Sequence, residues 1–366
     1  MKDFTFRNDT RLFFCNDIET TITNIARNRK VMFVYGGGSV KRNGCYEDVT
    51  FALEKAGVPF VEYGGSSREF AKIEEGIRTA RQNGVTMIIA AGGASVMDSA
   101  KLIAFGFYHE ADLWDYLKGK SSYGLERLPL ALIPTYPSSG SENGLGAVSV
   151  DSRNGDFGTA YGIPADYAIL CPKYSLPLDK EMTAYTGLVT LVQLSACVLG
   201  DRNRMSYDAG ISYIRNVYEA LRVLQDNPED LDARGVIMLG ASMSTSSRIG
   251  IGKEEAFAYD IYELEFLPEQ FFGSTYRRSL TSVFPKFLEV MGRHHAEYLR
   301  KYYSDAFGFD SSIEESSRRL AELFASFGVD MQFDGKIERE QVDSIPCATE
   351  LSKDEVFEII EALVRK

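Results

Sequence analysis

"VTMIIAAGGASVMDSAKLIAFGF", residues 85–107, decides the fold. A short apolar run ends at Ala91, Gly92 and Gly93 break it, and from Ser95 onward the apolar residues recur at helical spacing. A buried strand that stops at glycines and turns straight into a helix is half of a βαβ unit. The pattern repeats upstream. "VMFVY" (31–35) runs into the glycine loop of "YGGGSVKRNG" (35–44) and then the helix-like "CYEDVTFALEKAG" (45–57). "PFVEY" (59–63) precedes "SSREFAKIEEGIRTARQNG" (66–84), which reads as a helix opened by a capping box of Ser66 and Glu69. "LPLALIPT" (128–135) gives one more buried strand, and "AVSVD" and "FGTAY" flank Asn154-Gly155 as a hairpin with a tight turn.

Alternating β and α segments at this spacing require parallel strands, right-handed crossovers and helices on both faces of the sheet. After "CPKYSLPLDK" (171–180) the pattern changes to long helical segments over 179–328, and capping boxes pair Ser312 with Glu315 and Ser352 with Glu355. The expectation is an α/β domain over residues 1–175 and an all-helical domain over 176–366. Two domains also suit 366 residues, too many for one ordinary core.

The formal net charge of −12 argues against nucleic acid or an anionic membrane as the main partner. No apolar run approaches the ~18 residues of a membrane span, and "MKDFTFRNDT" has no apolar core of a secretory signal. Five scattered cysteines without a CxxC pair suit reduced thiols, so a cytoplasmic protein is expected.

The two glycine loops carry the first functional signal. Each follows a strand of the same parallel sheet, so each lies at the carboxyl edge where ligands sit. Backbone N–H groups freed at a strand exit, with a helix N-terminus behind them, favour an anion, and glycines let a phosphate approach closely. Lys41 and Arg42 add positive charge beside the first loop. A dinucleotide fits such a pair of loops, although neither has the GxGxxG or the Walker spacing.

The loops "GGGSVKRNG" and "GGASVMDSAK" and the later "PTYPSSGSENGLGAVS" (134–149) occur in this order and spacing. Together they resemble the iron-containing alcohol dehydrogenases, in particular their butanol-dehydrogenase-like, NADP-preferring branch. Gly92, Gly93, Ala94, Ser95, Asp98, Ala100 and Lys101 stand where that family has GGGS-x-x-D-x-A-K. Pro134, Thr135, Gly140, Ser141 and Glu142 match its P-T-x-x-x-x-G-S-E. The resemblance implies the fold shared with dehydroquinate synthase: a dinucleotide-binding α/β domain followed by an all-helical, metal-binding one. It places Gly37, Gly38 and Ser39 near the adenosine ribose and its 2′-phosphate, and Gly92, Gly93, Ala94 and Ser95 at the pyrophosphate. Thr135 and Ser141 are placed at the adenine and the nicotinamide ribose. Charge at Lys41 and Arg42 favours NADP(H) over NAD(H), whereas Glu62, at the end of the second strand, argues the other way. The family's N-terminal strands join its dimers, so "FTFRNDTRLFF" (4–14) is expected to do so in a homodimer.

The family holds a catalytic divalent metal with an aspartate, a histidine four residues later, and two more histidines fourteen residues apart. Aligned on its G-[IL]-V-D-x-x-x-H, "GLVTLVQLSA" (187–196) puts Thr190 and Leu194 at the first two positions. Aligned on Pro285, the other two fall on Tyr262 and Tyr276. All four ligands are replaced, and no register shift restores them, because no histidine lies between His109 and His294. His294 and His295 are adjacent and point ~100° apart on a helix, and His109 reads as structural. Asp260, Glu263 and Glu265 show no ligand spacing. No metal is therefore expected.

Tyrosines at two ligand positions suggest a substitute chemistry: a phenol beside a cation can donate a proton to a carbonyl oxygen. Tyr262 and Tyr276 are the catalytic candidates, with Arg277, Arg278 or Lys253 as the cation; the plainer alternative is that both rings only fill the vacated volume. The functional expectation is an NADP(H)-dependent oxidoreductase of alcohols, aldehydes or ketones that works without metal, as the maleylacetate reductases also depart from the usual metal chemistry. The alternative is a non-catalytic nucleotide-binding protein, a sensor or scaffold. A metal-dependent sugar-phosphate enzyme of the dehydroquinate-synthase type is disfavoured, since it too needs the missing histidines.

Overall fold

The computed structural model describes residues 3–109, 113–120, 126–200, 203–252, 257–346 and 349–365. They form two compact units. One comprises Arg7–Leu178 with Glu229–Ser247, and the other Met1–Phe6, Asp179–Pro228 and Arg248–Lys366.

The first unit is built on a six-stranded parallel sheet of β1 (Arg11–Phe14), β2 (Val31–Tyr35), β3 (Phe60–Tyr63), β4 (Met87–Gly92), β5 (Leu130–Pro134) and β8 (Tyr167–Leu170). The strand order is β1-β8-β5-β4-β2-β3. Every residue of β2, β4 and β5 is buried, which is why these strands read as unbroken apolar runs. Successive side chains alternate between faces. Met32, Val34, Ile88, Ala90, Leu130 and Leu132 pack under α4 (Phe70–Gln82) and α5 (Ala94–Gly106). Val31, Phe33, Met87, Ile89 and Ile133 pack on the other face under α1 (Glu19–Ala26) and α3 (Cys45–Lys55).

The helix that follows β2 therefore covers one face and the helix that follows β4 the other. Because β2 and β4 are hydrogen-bonded neighbours, with Tyr35 opposite Ala91, the chain changes direction between their carboxyl ends. That is the point in an open α/β sheet where ligands bind. The short helices α2 (Ser39–Arg42) and α6 (Leu113–Leu117) complete this part of the unit.

Two local expectations are corrected. The Ser66–Glu69 capping box does not form: α4 starts at Phe70 with Glu69 as its N-cap, and the buried Ser66 hydroxyl bonds Ser99 Oγ at 2.9 Å. The hairpin of β6 (Ala147–Asp151) and β7 (Asp156–Ala160) exists, but Asp151 faces Asp156, so four residues rather than two make the turn. Gly155, at φ +70°, supplies the left-handed residue that such a turn needs. The N-terminal strand pairs within its own chain, with Arg11–Phe14 parallel to Tyr167–Leu170 and forming one edge of the sheet.

Beyond the sheet, the chain is helical. Asp179 caps α7 (Lys180–Val198) through Met182 N–H, and α8 (Arg204–Asp226) follows in the same unit. Next, α9 (Leu231–Ser244) packs with the sheet unit, because it clamps the segment after β5. Thr245 Oγ1 donates to Gly140 O at 2.6 Å and Asn143 Nδ2 to Ser242 O at 3.2 Å. Gly140 has φ +63°, and a Cβ there would lie 2.1 Å from Ala241 O, so only glycine fits.

The helical unit continues with α10 (Ile261–Leu264), α11 (Phe266–Phe272), α12 (Tyr276–Met291), α13 (Ala296–Phe307), α14 (Ile313–Ser326), α15 (Arg339–Asp343) and α16 (Lys353–Glu361). Ser352 and Glu355 form the expected reciprocal capping box of α16, and Ser312 Oγ accepts from Glu315 N–H at the start of α14. Among the described residues no helix is long and apolar enough to cross a membrane, and Cys15, Cys45, Cys171 and Cys197 are free thiols. Cys347 lies outside the described residues.

Candidate functional site

In the sheet unit both glycine loops leave the sheet side by side. Gly36, Gly37 and Gly38 follow β2 directly, and Gly37, Gly38 and Ser39 are exposed. A Cβ on Gly37 would meet nothing within 4 Å, whereas one on Gly38 would lie 3.0 Å from an Arg42 guanidinium nitrogen. Arg42 thus folds back over the loop. Lys41 lies with its ammonium 4.5 Å from the Tyr46 ring centre and 5.6 Å from that of Tyr35.

The second loop is shorter. Gly92 ends β4, and Gly93 is the extended N-cap of α5 with no side-chain cap. Gly92 has no room for a side chain, since a Cβ would stand 2.8 Å from Val96. Gly93, Ala94 and Ser95 are partly exposed, and the first N–H groups of any helix lack intrahelical acceptors. With no side chain over it, this end of a thirteen-residue helix presents its partial positive charge to an anion.

A third piece was not marked by the sequence motifs. The β3–α4 connection, "GGSSRE" (64–69), lies across both loops. Gly65 N–H donates to Gly36 O and Ser66 N–H to Tyr35 O, each at 3.0 Å, and Arg68 N–H donates to Ser95 Oγ at 3.0 Å. The exposed Arg68 thus stands beside the N-terminus of α5. Two glycines followed by two serines at a strand exit were the signal available.

Thr135 and Ser141 are both buried. Thr135 N–H bonds Gly92 O at 3.0 Å, and Ser141 Oγ donates to Asp98 Oδ1 at 2.7 Å. Beneath them lies a charged cluster. Lys101 is fully buried and donates to Gly144 O at 2.9 Å and Gly146 O at 2.8 Å. Burial drives its pKa down to about 8, against the opposing pull of Asp98 and Glu142. Burial likewise raises Asp98 and lifts Glu142 to about 7, opposed by hydrogen bonds and by the Lys101 charge. The cluster holds the segment 141–148 against α5 and so fixes the back wall of the loops.

In the helical unit α7, α10 and α12 assemble the four positions that the resemblance aligns with metal ligands. Thr190 is fully buried and gives its hydroxyl to Thr186 O at 2.7 Å, and Leu194 is fully buried and apolar. Tyr276 oxygen accepts from Gln193 Nε2 at 3.3 Å, and Gln193 is a member that sequence spacing did not mark. Tyr262 is partly buried; burial first, then Tyr276 and Cys197 nearby, push its phenol well above the ordinary range. It is a protonated donor at neutral pH.

Of the cations expected to activate these phenols, the two arginines lie against other groups. Arg277 stacks 5.7 Å over the Tyr185 ring, and Arg278 pairs with Asp330 at 2.7 Å and lies 4.6 Å over Phe333. Lys253 lies outside the described residues. A hydroxyl committed to a backbone carbonyl, an aliphatic side chain and two tyrosines do not fit a divalent cation, which wants imidazole, thiolate or carboxylate. Among the described residues, no group of three or more His, Cys, Asp or Glu is arranged to hold one.

The histidines and acids set aside from the sequence have structural partners. His109 Nε2 meets Glu126 O at 3.1 Å; His294 pairs with Glu355 at 2.8 Å and His295 with Glu350 at 2.6 Å. Asp260 accepts from Thr349 Oγ1 at 2.6 Å and Glu350 N–H at 2.8 Å. Glu265 is buried and Glu263 exposed.

Comparison with known proteins agrees with this architecture. Residues 10–172 match the model of the iron-containing alcohol dehydrogenase family. The chain is 26% identical to NADH-dependent butanol dehydrogenase A of Clostridium acetobutylicum, over 82% of this chain and 80% of that one. It is 28% identical to the NADPH-dependent aldehyde reductase YqhD of Escherichia coli, over 70% of this chain and 68% of that one. In fold it resembles the crystal structure of NADH-dependent butanol dehydrogenase A from Thermotoga maritima, with a TM-score of 0.90, 23% identity, and 100% and 99% of the two chains covered. Residues 10–172 thus group with the iron-containing alcohol dehydrogenases, and the similarity to butanol dehydrogenases and an aldehyde reductase extends over most of the chain.

Proposed function

We propose that this protein is an NADP(H)-dependent oxidoreductase that reduces an aldehyde or ketone, or oxidises the corresponding alcohol, without the family's catalytic metal. The observation that carries it is the contrast between the two units. The uncapped, partly exposed α5 N-terminus and the open loop beside Lys41 and Arg42 remain suited to a pyrophosphate and a 2′-phosphate. The four ligand positions hold Thr190, Leu194, Tyr262 and Tyr276. In this account Gly37, Gly38, Ser39 and Lys41 bind the adenosine end, Gly92, Gly93, Ala94 and Ser95 the pyrophosphate, and Thr135 and Ser141 line the ribose and adenine. Tyr262 and Tyr276 donate hydrogen bonds to the carbonyl oxygen, a role that suits Tyr262, whose phenol burial holds above its ordinary range. The sheet-edge position of β1, with Phe14 half exposed, supports a homodimer formed there.

A second reading is favoured by one observation. Thr190 and Leu194 are buried so completely that the middle of α7 is ordinary core, as expected if the chain binds nucleotide but no longer turns it over.

One experiment separates the two. Protein dialysed against a strong chelator is assayed for NADPH oxidation with a panel of aldehydes and ketones. Turnover unaffected by chelation, and cut at least about 100-fold in Tyr262→Phe or Tyr276→Phe, is the expected outcome, the lower end of what one proton donor contributes. Activity that disappears with chelator and returns with zinc or iron overturns the metal-free account. No turnover of any substrate, with nucleotide still bound, leaves the non-catalytic reading standing.

A further inference from the structure

Glu62 raises a problem for NADP(H): a carboxylate at the end of the neighbouring strand should repel a 2′-phosphate. Its surroundings resolve the problem. Glu62 Oε2 accepts from the Tyr35 hydroxyl at 2.6 Å, and Oε1 from the Tyr46 hydroxyl at 2.9 Å. Each carboxylate oxygen is therefore engaged by one phenol. The two rings pack edge-on, with centres 5.5 Å apart, and Phe33 backs them at 5.2 and 5.9 Å. Tyr35 is the last residue of β2, so this aromatic wall grows directly out of the strand that feeds the first glycine loop. Its tightness shows at Gly64, where a Cβ would lie 2.8 Å from the Tyr35 ring.

Lys41 lies over this wall, nearer Tyr46 than Tyr35. A lysine on an exposed four-residue helix ordinarily samples many rotamers, and ordering it on ligand binding costs roughly 1.5–2 kcal/mol of side-chain freedom. Stacked on a phenol face, the ammonium is held in place by a cation–π contact while keeping its N–H donors for an incoming anion. No ion pair of Lys41 occurs among the described residues.

We propose that Tyr46 is the platform that presents Lys41 to the 2′-phosphate of NADP(H), and that Glu62 is a positioning residue that locks Tyr46 and Tyr35 in register beneath it. Glu62 thereby serves NADP(H) selection instead of opposing it. Each oxygen already accepts from a phenol, so the carboxylate is turned toward the two rings. The ammonium stacked over the same two rings offsets its charge. This rests on the nucleotide reading above and adds to it the residues that choose between the two nucleotides.

The test is a pair of fluorescence titrations, NADPH and NADH, on wild-type protein and on Tyr46→Leu, Tyr46→Phe and Glu62→Gln. Tyr46→Leu removes the platform and raises the NADPH dissociation constant about 5- to 10-fold, while that for NADH moves less than about twofold. Tyr46→Phe keeps the ring and restores most of the affinity. Glu62→Gln weakens NADPH by about threefold and again spares NADH, because an amide holds the two phenols less firmly. Thermal melts of all three variants confirm that the sheet unit is folded.

Two results overturn the proposal alone. One is Glu62→Gln binding NADPH more tightly relative to NADH, which makes the carboxylate a repulsive group. The other is Tyr46→Leu weakening both nucleotides equally, which makes Tyr46 a general support of the loop. Wild-type protein that binds neither nucleotide removes the nucleotide reading itself, and this proposal with it.

Discussion

Replacing Gly93 by aspartate is expected to weaken NADPH binding at least about 100-fold while leaving the melting temperature unchanged or slightly raised. Gly93 is the N-cap of α5 with φ −86° and ψ −172°, an extended conformation that any residue adopts. The nearest atom to an added Cβ is Tyr136 Cβ at 3.7 Å, an ordinary contact, so the side chain fits. An aspartate there caps the helix by accepting from the N–H groups of its first turn, worth a few tenths of a kcal/mol, roughly, over glycine. Those same N–H groups are the ones assigned to the pyrophosphate. The substitution fills the anion's place with a tethered carboxylate and repels what remains. Losing two charge-assisted hydrogen bonds, at about 1.5 kcal/mol or more each, gives the stated factor. Calorimetric titration with NADPH beside a thermal melt reads both signs at once. Binding retained within tenfold means that the pyrophosphate does not sit at this helix.

The second large effect is a dependence of stability on pH, set by Glu142. Its carboxyl is buried and its pKa is lifted from 4.5 to about 7 in the folded chain. A group raised on folding holds its proton more tightly in the native state, so its stabilising contribution is present below pH 4.5 and lost as pH rises toward 7. The full span is on the order of 3 kcal/mol. Lys101 acts in the window above. Its pKa is depressed from 10.5 to about 8, so the native state sheds this proton first and stability recovers as pH rises from 8 toward 10.5. Glu142→Gln removes the lower window. Unfolding free energies from urea titrations should fall from pH 5 to pH 8 by about 2–3 kcal/mol more for wild type than for the variant. Parallel behaviour of the two proteins would mean that Glu142 is ionised at both values and that Lys101 fully compensates its burial.

The parallel sheet was readable because a strand covered on both faces has to be apolar at every position, as Val31–Tyr35, Met87–Gly92 and Leu130–Pro134 are. Short edge elements carry no such mark. Arg11–Phe14 looks the same whether it pairs with another copy or with Tyr167–Leu170, and its partner lies some 150 residues away, beyond any local pattern. The membership of α9 in the sheet unit was hidden for the same reason. What draws it there is a carbonyl approach at Gly140 and two hydrogen bonds to the segment after β5, contacts with no periodicity.

The glycine loops were legible as strand exits, and at Gly92 only glycine tolerates the approach of Val96. The sequence did not reveal that "GGSSRE" lies across both loops, or that Tyr35 and Tyr46 share one carboxylate. In the helical unit, Thr190, Leu194, Tyr262 and Tyr276 could be singled out only by alignment with the family pattern. The engagement of Arg277 with Tyr185 and of Arg278 with Asp330 was not legible, because it depends on which way two adjacent residues point around α12.

The most direct test of a working nucleotide site beside a replaced metal site is a titration of chelator-treated wild-type protein with NADPH, followed by nicotinamide fluorescence. Saturable binding with a blue-shifted, enhanced emission, tighter for NADPH than for NADH, is the expected result. Absence of binding by either nucleotide would mean that the loops at β2 and β4 survive only as scaffold, and it would contradict the account at its centre.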